Sequence, residues 1–385
     1  MRLLFSTASF TYAGRSRPRF PIIVGDDMRF VQPMQNFLVW LLLDRGKALS
    51  PLTWEDYGRR MWDFAAFLNA NKLAWDASAV APGLSCLAMY RDWSLGELKL
   101  NPSTVNGRLR LVVSFYEWAY KQGYIERLPL AYFDAKVVPV HGLLAHARDS
   151  NSKALTSVVL VREWEVPPEF LSREQIRACV QALSGVGRRL LFDLMVRAGL
   201  RSCEARTFPL KYVFDPRTRQ DCRPEQMIRV ALDPVDMWIK FRKPRAVDVP
   251  YSLMCDLYAY TRYERNRVAV ISDEPRTTLV LNDRGRPYTK GALIEAFKSL
   301  SDRVGFKVRP LQLRHSYAIH TLARLRSDAA YKGEPLLYLR DRMGHASVLT
   351  TAIYLRQLEQ LAGGLALAIE DEFNRMFQIE SENGA

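Results

Sequence analysis

Arg201 follows Ala198, Gly199 and Leu200, a place where a glycine can stop one helix and let the backbone turn into another that carries Glu204. Far downstream come the pair Arg314 and His315, then Met343, Gly344 and His345, and then Tyr354. Singly, each has an ordinary structural explanation: a capping arginine, an Arg-His pair on a surface helix, a tyrosine in a core. As a set they are what breaking a phosphodiester without a metal requires. Such a reaction needs a nucleophile, neutralisation of charge growing on the non-bridging oxygens, and a proton for the leaving 5′ oxygen. A planar guanidinium binds phosphate oxygens bidentately and stays charged, which suits Arg201 and Arg314. A tyrosine hydroxyl ordinarily titrates at about 10, so attack becomes easier where cations favour the phenolate.

These groups need elements to hold them. Ser172, Arg173, Glu174 and Gln175 read as a capping box ahead of Ile176, Val180 and Leu183, and a second helix follows from Arg188 to Ala198 before Gly199. Strand-like pieces are expected at Ile228 to Leu232, Met237 to Phe241 and Ala246 to Val249. Helices resume near Tyr251, Thr289, Leu311, Leu337 and Gln357. In the strand expected over Met237 to Phe241, Ile239 and Phe241 share one face and Trp238 and Lys240 the other. That alternation lets Lys240 leave the core.

The first third of the chain reads differently. Residues 1–30, with Arg15, Arg17 and Arg19 among Pro18 and Pro21, show no helical period and are expected to form an irregular basic arm. From 31 to 130 the pattern is helical. Ser50 and Pro51 start one helix bearing Trp54, Tyr57, Met61, Phe64 and Leu68 on a single face. Asn101 and Pro102 start another bearing Val105, Leu109, Val112, Tyr116 and Ala119. Arg59, Arg60, Arg108 and Arg110 fall on the faces left outside those stripes, either as solvated surface or as contacts to a polyanion. Residues 131–167, with Pro139, His141, Gly142 and Asn151, read as a linker holding a short strand at Ser157 to Val161, and 168–385 as a second domain.

Composition narrows the class. The chain has 385 residues, 48% of them apolar and 25% charged, which suits a globular protein of two domains. Its longest apolar run, Phe37 to Leu43, is too short for a membrane span, and a cytoplasmic location is expected. Cys86, Cys179, Cys203, Cys222 and Cys255 are scattered and never paired as CxxC, and His141, His146, His315, His320 and His345 form no metal-ligand motif. Neither a metal nor a nucleotide cofactor is expected. A formal net charge of +14 points to a polyanionic partner, with nucleic acid first.

In order, these boxes resemble those of the tyrosine recombinase, or phage integrase, family. Gly199, Leu200, Arg201 and Glu204 are similar to its first arginine box, and Lys240 to Val247, with Val249 and Pro250 displaced, to its lysine hairpin. Leu313, Arg314 and His315 match the Leu-Arg-His box. Met343, Gly344 and His345 resemble the Leu-Gly-His box, and Tyr354 falls where the family has its nucleophile. Ser103 to Ala119 looks like the last helix of the family's core-binding domain. The resemblance covers nearly the whole chain.

It implies a mainly α fold with a small β-sheet, in which a helical core-binding domain precedes an α+β catalytic domain and the two clamp a DNA duplex. Tyr354 would attack the scissile phosphate to leave a 3′-phosphotyrosine and a free 5′-hydroxyl. Arg201 and Arg314 would hold the phosphate, Lys240 would be the general acid with Lys243 as runner-up, and His345 would bond the phosphate or the tyrosine. Glu204 and His315 would support them, and Arg242, Lys243 and Arg245 would contact DNA, as would Arg59, Arg60, Arg108 and Arg110. The resemblance further implies a tetramer on two specific sites, associated with the nucleoid when bound and carried by a mobile genetic element. Leu358, Leu361, Leu365 and Ile369 lie on a C-terminal helix that could dock on a neighbour.

One position departs from the family: Leu311 stands where a histidine is usual, three residues before Arg314, and leucine moves no proton. It supports one rival, a DNA-binding protein of the same fold with weakened chemistry; a second rival is a type IB topoisomerase, which shares much of this site. The interval from Arg314 to His345 is also long and reads as holding an insertion around Arg326 to Pro335.

Overall fold

The computed structural model describes residues 1–46, 50–77, 85–129, 132–134, 155–157, 159–164, 167–271, 277–355 and 357–358. The chain divides into two compact units, with the described residues up to 164 in the first and those from 167 on in the second. The architecture is mainly helical with small two-stranded sheets, as the sequence led us to expect.

In the first unit, β1 (Arg2–Phe5) pairs antiparallel with β4 (Pro21–Val24), and the short hairpin of β2 (Thr11–Tyr12) and β3 (Arg15–Ser16) lies between them. Residues 1–30 are therefore not irregular. Phe20 and Ile23 are buried in the same core as α1 (Met34–Val39), α2 (Pro51–Ala70), α3 (Cys86–Gly96) and α4 (Pro102–Lys121). The period-2 signal was masked because the strands are short and the buried residues are interleaved with arginine and proline. Arg19, one of the arm's basic residues, bonds Glu55 of α2.

The two helices forecast at Pro51 and Pro102 form with the expected faces inward: Met61, Phe64, Val105, Leu109, Val112, Tyr116 and Ala119 have no exposed surface. Aromatic rings fill the space between them, Phe64 meeting Tyr90 and Tyr116 edge-on, and Phe37 packing on Phe115 and Trp118. Such pairs add to the burial of apolar surface, which is the main stabilising contribution here.

Within 131–167, β5 (Tyr132–Asp134) pairs with β6 (Leu155–Ser157), so the forecast strand forms slightly earlier than expected. Val159 is buried in the first core, and the Asn106 amide brackets Val161, donating to its carbonyl at 2.7 Å and accepting its N–H at 2.8 Å. Pro139, His141, Gly142, His146 and Asn151 lie outside the described residues.

The second unit opens with α5 (Arg173–Ala182), whose capping box of Ser172 and Gln175 is present in both directions. α6 (Val186–Arg197) is almost wholly buried in its second half. Gly199 ends it at φ +65°, and a Cβ there would lie 2.4 Å from the ring of Tyr317, so only glycine lets α6 pass this close. α7 (Ser202–Arg206) follows. β7 (Met227–Leu232) and β8 (Arg245–Pro250) pair antiparallel with Leu232 opposite Arg245. Then come α8 (Tyr251–Arg262), α9 (Glu264–Ala269), α10 (Lys290–Val304), α11 (Pro310–Ser327), α12 (Pro335–Met343) and α13 (Val348–Ala352). The stretch read as an insertion spans the end of α11, a connecting loop and the first residue of α12. No helix among the described residues is long and apolar enough to cross a membrane.

Candidate active site

The site is organised around the C-terminal end of α12. A helix leaves its last four carbonyls without intrahelical partners, and each must be met from elsewhere. Gly344, at φ +61°, turns the chain so that its own N–H and that of His345 reach back to the carbonyls of Arg340 and Asp341. The next three carbonyls are met by three arginines. Arg245 Nε donates to Arg342 O at 3.1 Å, Arg314 Nη2 to Met343 O, and Arg201 Nη2 to Met343 O at 3.2 Å and to Gly344 O at 3.4 Å. Positive charge at the negative end of a helix is electrostatically favourable.

Glu204 is the counter-charge of this cluster. It has no exposed side-chain surface and accepts from the Arg201 backbone at 2.7 Å, from Arg201 Nη1 at 3.0 Å, and from Arg245 Nη1 and Nη2 at 2.6 and 2.7 Å. Burial alone would raise its pKa, but the paired bonds and charge of Arg245, with Arg314 close by, overcome this and bring it down to about 2. Arg314 is 4% exposed and also donates to Gly199 O. Burial, followed by the charges of Arg201 and Arg245, pulls its pKa down to about 9, which leaves it charged at neutral pH.

Tyr354, just after α13, is 2% exposed. Its hydroxyl lies 2.9 Å from His315 Nδ1 on α11, and its ring stacks on His345 with centroids 6.3 Å apart. Burial pushes the phenol up to about 12 although Arg314 and Arg201 both act to lower it. Cations do favour the phenolate, as the sequence argument held, but desolvation is the larger effect in the free protein. His315 and His345 are both pushed down to about 4, first by burial and then by the charge of Arg314, so both rings are neutral at pH 7. His345 Nδ1 is 3.0 Å from Thr351 Oγ1. The partner of the tyrosine hydroxyl is thus His315, placed in the sequence as a supporting residue, and not His345. Thr351 was not singled out at all. Its only signal is that it lies three residues, about one helical turn, ahead of Tyr354 in the chain.

No protein-family model matches the chain. The tyrosine recombinase XerC of Halalkalibacterium halodurans is 25% identical over 334 residues, covering 84% of this chain and 92% of its own. Among solved structures, XerH site-specific recombinase bound to palindromic difH substrate in a post-cleavage complex shares the fold at a TM-score of 0.53. It is 17% identical, over 84% of this chain and 82% of its own. The Tn1549 transposon integrase in complex with circular intermediate DNA has a TM-score of 0.52 at 16% identity, over 88% and 97%. Over most of its length the chain is similar to tyrosine recombinases.

The lysine hairpin departs from the expected strand. Because Leu232 pairs with Arg245, residues 233–244 are left out of the ladder and form its loop. Met237 and Ile239 are buried and Trp238 and Lys240 exposed, so the alternation holds as far as Lys240. It fails at Phe241, which is 84% exposed and, with Arg242, has φ of +64° and +51°. Such a backbone costs an ordinary residue roughly 1–2 kcal/mol and cannot continue a strand. Lys240, Arg242 and Lys243 are all exposed. Arg245 is different: grouped in the sequence with these DNA-contacting candidates, it is 7% exposed at its side chain and belongs to the buried cluster.

In the first unit, Arg59 is exposed near Glu55, and Arg110 is exposed and donates to Glu163 at 2.9 Å. Arg60 is held by Asp56 at 2.7 Å and by the Gly107 carbonyl, and Arg108 by Asp63. Leu311, at the second position of α11, is 62% exposed and fills no pocket. Among the described residues no group of three or more His, Cys, Asp or Glu could hold a metal ion. Leu361, Leu365 and Ile369 lie outside the described residues.

Proposed function

We propose that the protein is a site-specific DNA recombinase in which Tyr354 attacks a scissile phosphate held by Arg201 and Arg314. The observation that carries this reading is the convergence on one helix end of two arginines, a tyrosine and two neutral imidazoles from positions far apart in the chain. The phosphorus–oxygen bond to the leaving 5′ oxygen breaks as the bond to Tyr354 Oη forms. The product is a 3′-phosphotyrosine and a 5′-hydroxyl, and attack by a 5′-hydroxyl of the partner strand reverses the step. Bond energy is conserved in the phosphotyrosine, so strand rejoining needs no nucleotide hydrolysis.

Roles within the site follow from chemistry. Arg201 and Arg314 offset charge on the non-bridging oxygens. His315, neutral and in hydrogen-bond reach of the phenol, accepts its proton as the phosphate's negative charge raises the imidazole's basicity. Lys240 on the exposed loop delivers a proton to the leaving oxygen, with Lys243 as the alternative. Arg59, Arg110, Arg242 and Lys243 serve as phosphate contacts. Assembly as a tetramer on two sites, carriage on a mobile element and a cytoplasmic, nucleoid-associated location are part of the same proposal. The similarity to a transposon integrase and to a site-specific recombinase, both in complex with DNA, supports the association with DNA and the carriage on a mobile element.

The test is covalent trapping. The protein is incubated with fragments of DNA from its own genetic element, and any protein-linked fragment is recovered and sequenced, which also yields the site. Tyr354→Phe should bind the recovered site normally and give no adduct. A protease-sensitive adduct in that variant would place the nucleophile elsewhere, and relaxation of supercoiled DNA lacking the site would favour a topoisomerase.

A further inference from the structure

Arg245 is the one arginine of the cluster that the proposed reaction leaves without a task. It forms a two-bond fork to Glu204, at 2.6 and 2.7 Å, and its Nε is committed to Arg342 O at 3.1 Å. These bonds engage all three of its nitrogens from inside the protein, and the side chain is 7% exposed. The fold makes room for it: a Cβ on Gly344 would lie 2.7 Å from Arg245 Cδ, so the turn that places His345 also requires glycine to admit this arginine.

Glu204 in turn holds Arg201 twice, by its backbone N–H and by Nη1. Without Arg245, a wholly buried carboxylate would keep Arg201 as its remaining side-chain ion-pair partner, and the attraction would draw the Arg201 guanidinium inward. With Arg245 present, the carboxylate's charge is shared, and Arg201, whose Nη1 bonds Glu204 and whose Nη2 bonds the Met343 and Gly344 carbonyls, keeps 21% of its side chain exposed. We propose that Arg245 is a positioning residue for cleavage, saturating Glu204 so that Arg201 presents its charge to the scissile phosphate. This rests on the recombinase reading above, in which Arg201 is a phosphate ligand.

The experiment compares three versions of the recovered site as substrates. One is normal DNA. The second carries a methyl group in place of a charged oxygen at the scissile phosphate, so that there is less charge to offset. The third has sulfur as the 5′ bridging atom, so that departure needs no proton. Arg245→Gln should slow adduct formation on normal DNA by about 10–100-fold, by analogy with loss of a partner that orients a metal-ligating side chain, with little change in DNA affinity. On the methylated substrate the gap between wild type and variant should shrink to a few-fold. On the sulfur substrate it should persist. Arg245→Lys, which keeps a cation beside Glu204, should recover part of the rate on normal DNA and guards against a variant that fails to fold.

Equal losses on all three substrates would reduce Arg245 to a structural residue and overturn the proposal. Rescue by sulfur would move its action to the lysine loop, and an affinity loss matching the rate loss would make it a DNA contact; either outcome also overturns it. The recombinase reading fails separately, by absence of a Tyr354 adduct in the wild-type protein.

Discussion

Arg314 and Arg245 are buried and spend their donors on backbone carbonyls and on Glu204, whereas Lys240, Arg242 and Lys243, a few residues from Arg245, stand exposed on a loop whose backbone is partly left-handed. Both regions are cationic and both face phosphate chemistry in the proposed reaction. The buried region is a fixed electrostatic frame. Its arginines are held before any substrate arrives, so little reorganisation remains to be done during the reaction. The exposed loop has no comparable anchoring, and its lysine keeps an ordinary ammonium's freedom to approach a leaving oxygen. A charge that must be constant is built into the core, and a proton donor that must move is kept out of it.

The contrast breaks most readily at the arginines. Arg201→Ala and Arg314→Ala should each reduce cleavage by about 10² or more, as when one oxyanion donor is removed, with a much smaller loss of DNA binding. The two should differ in stability. Arg314→Ala leaves the carbonyls of Gly199 and Met343 short of a buried donor, at a cost of about 1–3 kcal/mol, whereas Arg201 is partly exposed and should cost less. Denaturant unfolding and adduct formation on the same preparations check both. Equal losses in binding and cleavage would mark the arginines as ordinary DNA contacts, and equal stabilities would remove the distinction between frame and periphery.

At the loop the expectation is reversed. Lys240→Ala should slow cleavage of normal DNA while leaving the unfolding midpoint within about 0.5 kcal/mol of wild type, as for exposed substitutions generally. A substrate with a sulfur leaving atom should restore its rate, because a thiolate departs without a proton. If sulfur rescues Lys243→Ala and not Lys240→Ala, the general acid is the second lysine.

The same division explains what could be read from the sequence. Arg201, Arg314, His345 and Tyr354 were recognisable because local signals announce them: the Gly199 stop, the helix beginning at Pro310, the Gly344 turn. The N-caps and apolar faces of α2, α4 and α5 were legible for the same reason. What occupies a donor is a tertiary matter. Nothing local distinguishes Arg245 from Arg242 and Lys243, yet the register that pairs Leu232 with Arg245 places one in the core and leaves the others on the loop. That register also denied a partner to the alternating residues from Met237 to Phe241. His315 on α11 meets Tyr354 in the turn after α13, which no spacing encodes, and β1 and β4 were too short for their period to outweigh their arginines and prolines.

The imidazoles sharpen the comparison through pH. His315 and His345 are held at about 4 by burial and then by Arg314, and burial also lowers His320. The unfolded chain takes up these protons first, at about 6.5. Their contribution to stability is therefore complete above that value and is lost as pH falls from about 6.5 towards 4. Glu204, depressed to about 2, keeps contributing until the pH falls below the ordinary carboxylate range. Denaturant midpoints measured from pH 7.5 to 4 should decline across the histidine window, and His345→Asn should flatten the decline. A midpoint independent of pH over that window would show that these rings are not held neutral by the fold.

The smallest effect expected is that of Leu311→His, at the position where the tyrosine recombinase pattern has a histidine. Leu311 is 62% exposed in the first turn of α11, so its replacement opens no cavity and should change stability by less than about 0.5 kcal/mol. An imidazole there sits at the positive end of a helix, which favours its neutral form. It could accept a proton, but His315 Nδ1 already lies 2.9 Å from the Tyr354 hydroxyl. Cleavage should rise modestly, well short of the roughly 10²-fold or more that a missing general base would restore. In a His315→Gln background the same substitution should give a larger relative gain, since the proton acceptor has been removed. If Leu311→His accelerates the otherwise wild-type protein by about 10² and His315→Gln has no effect, the contact between His315 and Tyr354 takes no part in proton removal, and the absent histidine is a true deficit of this chain.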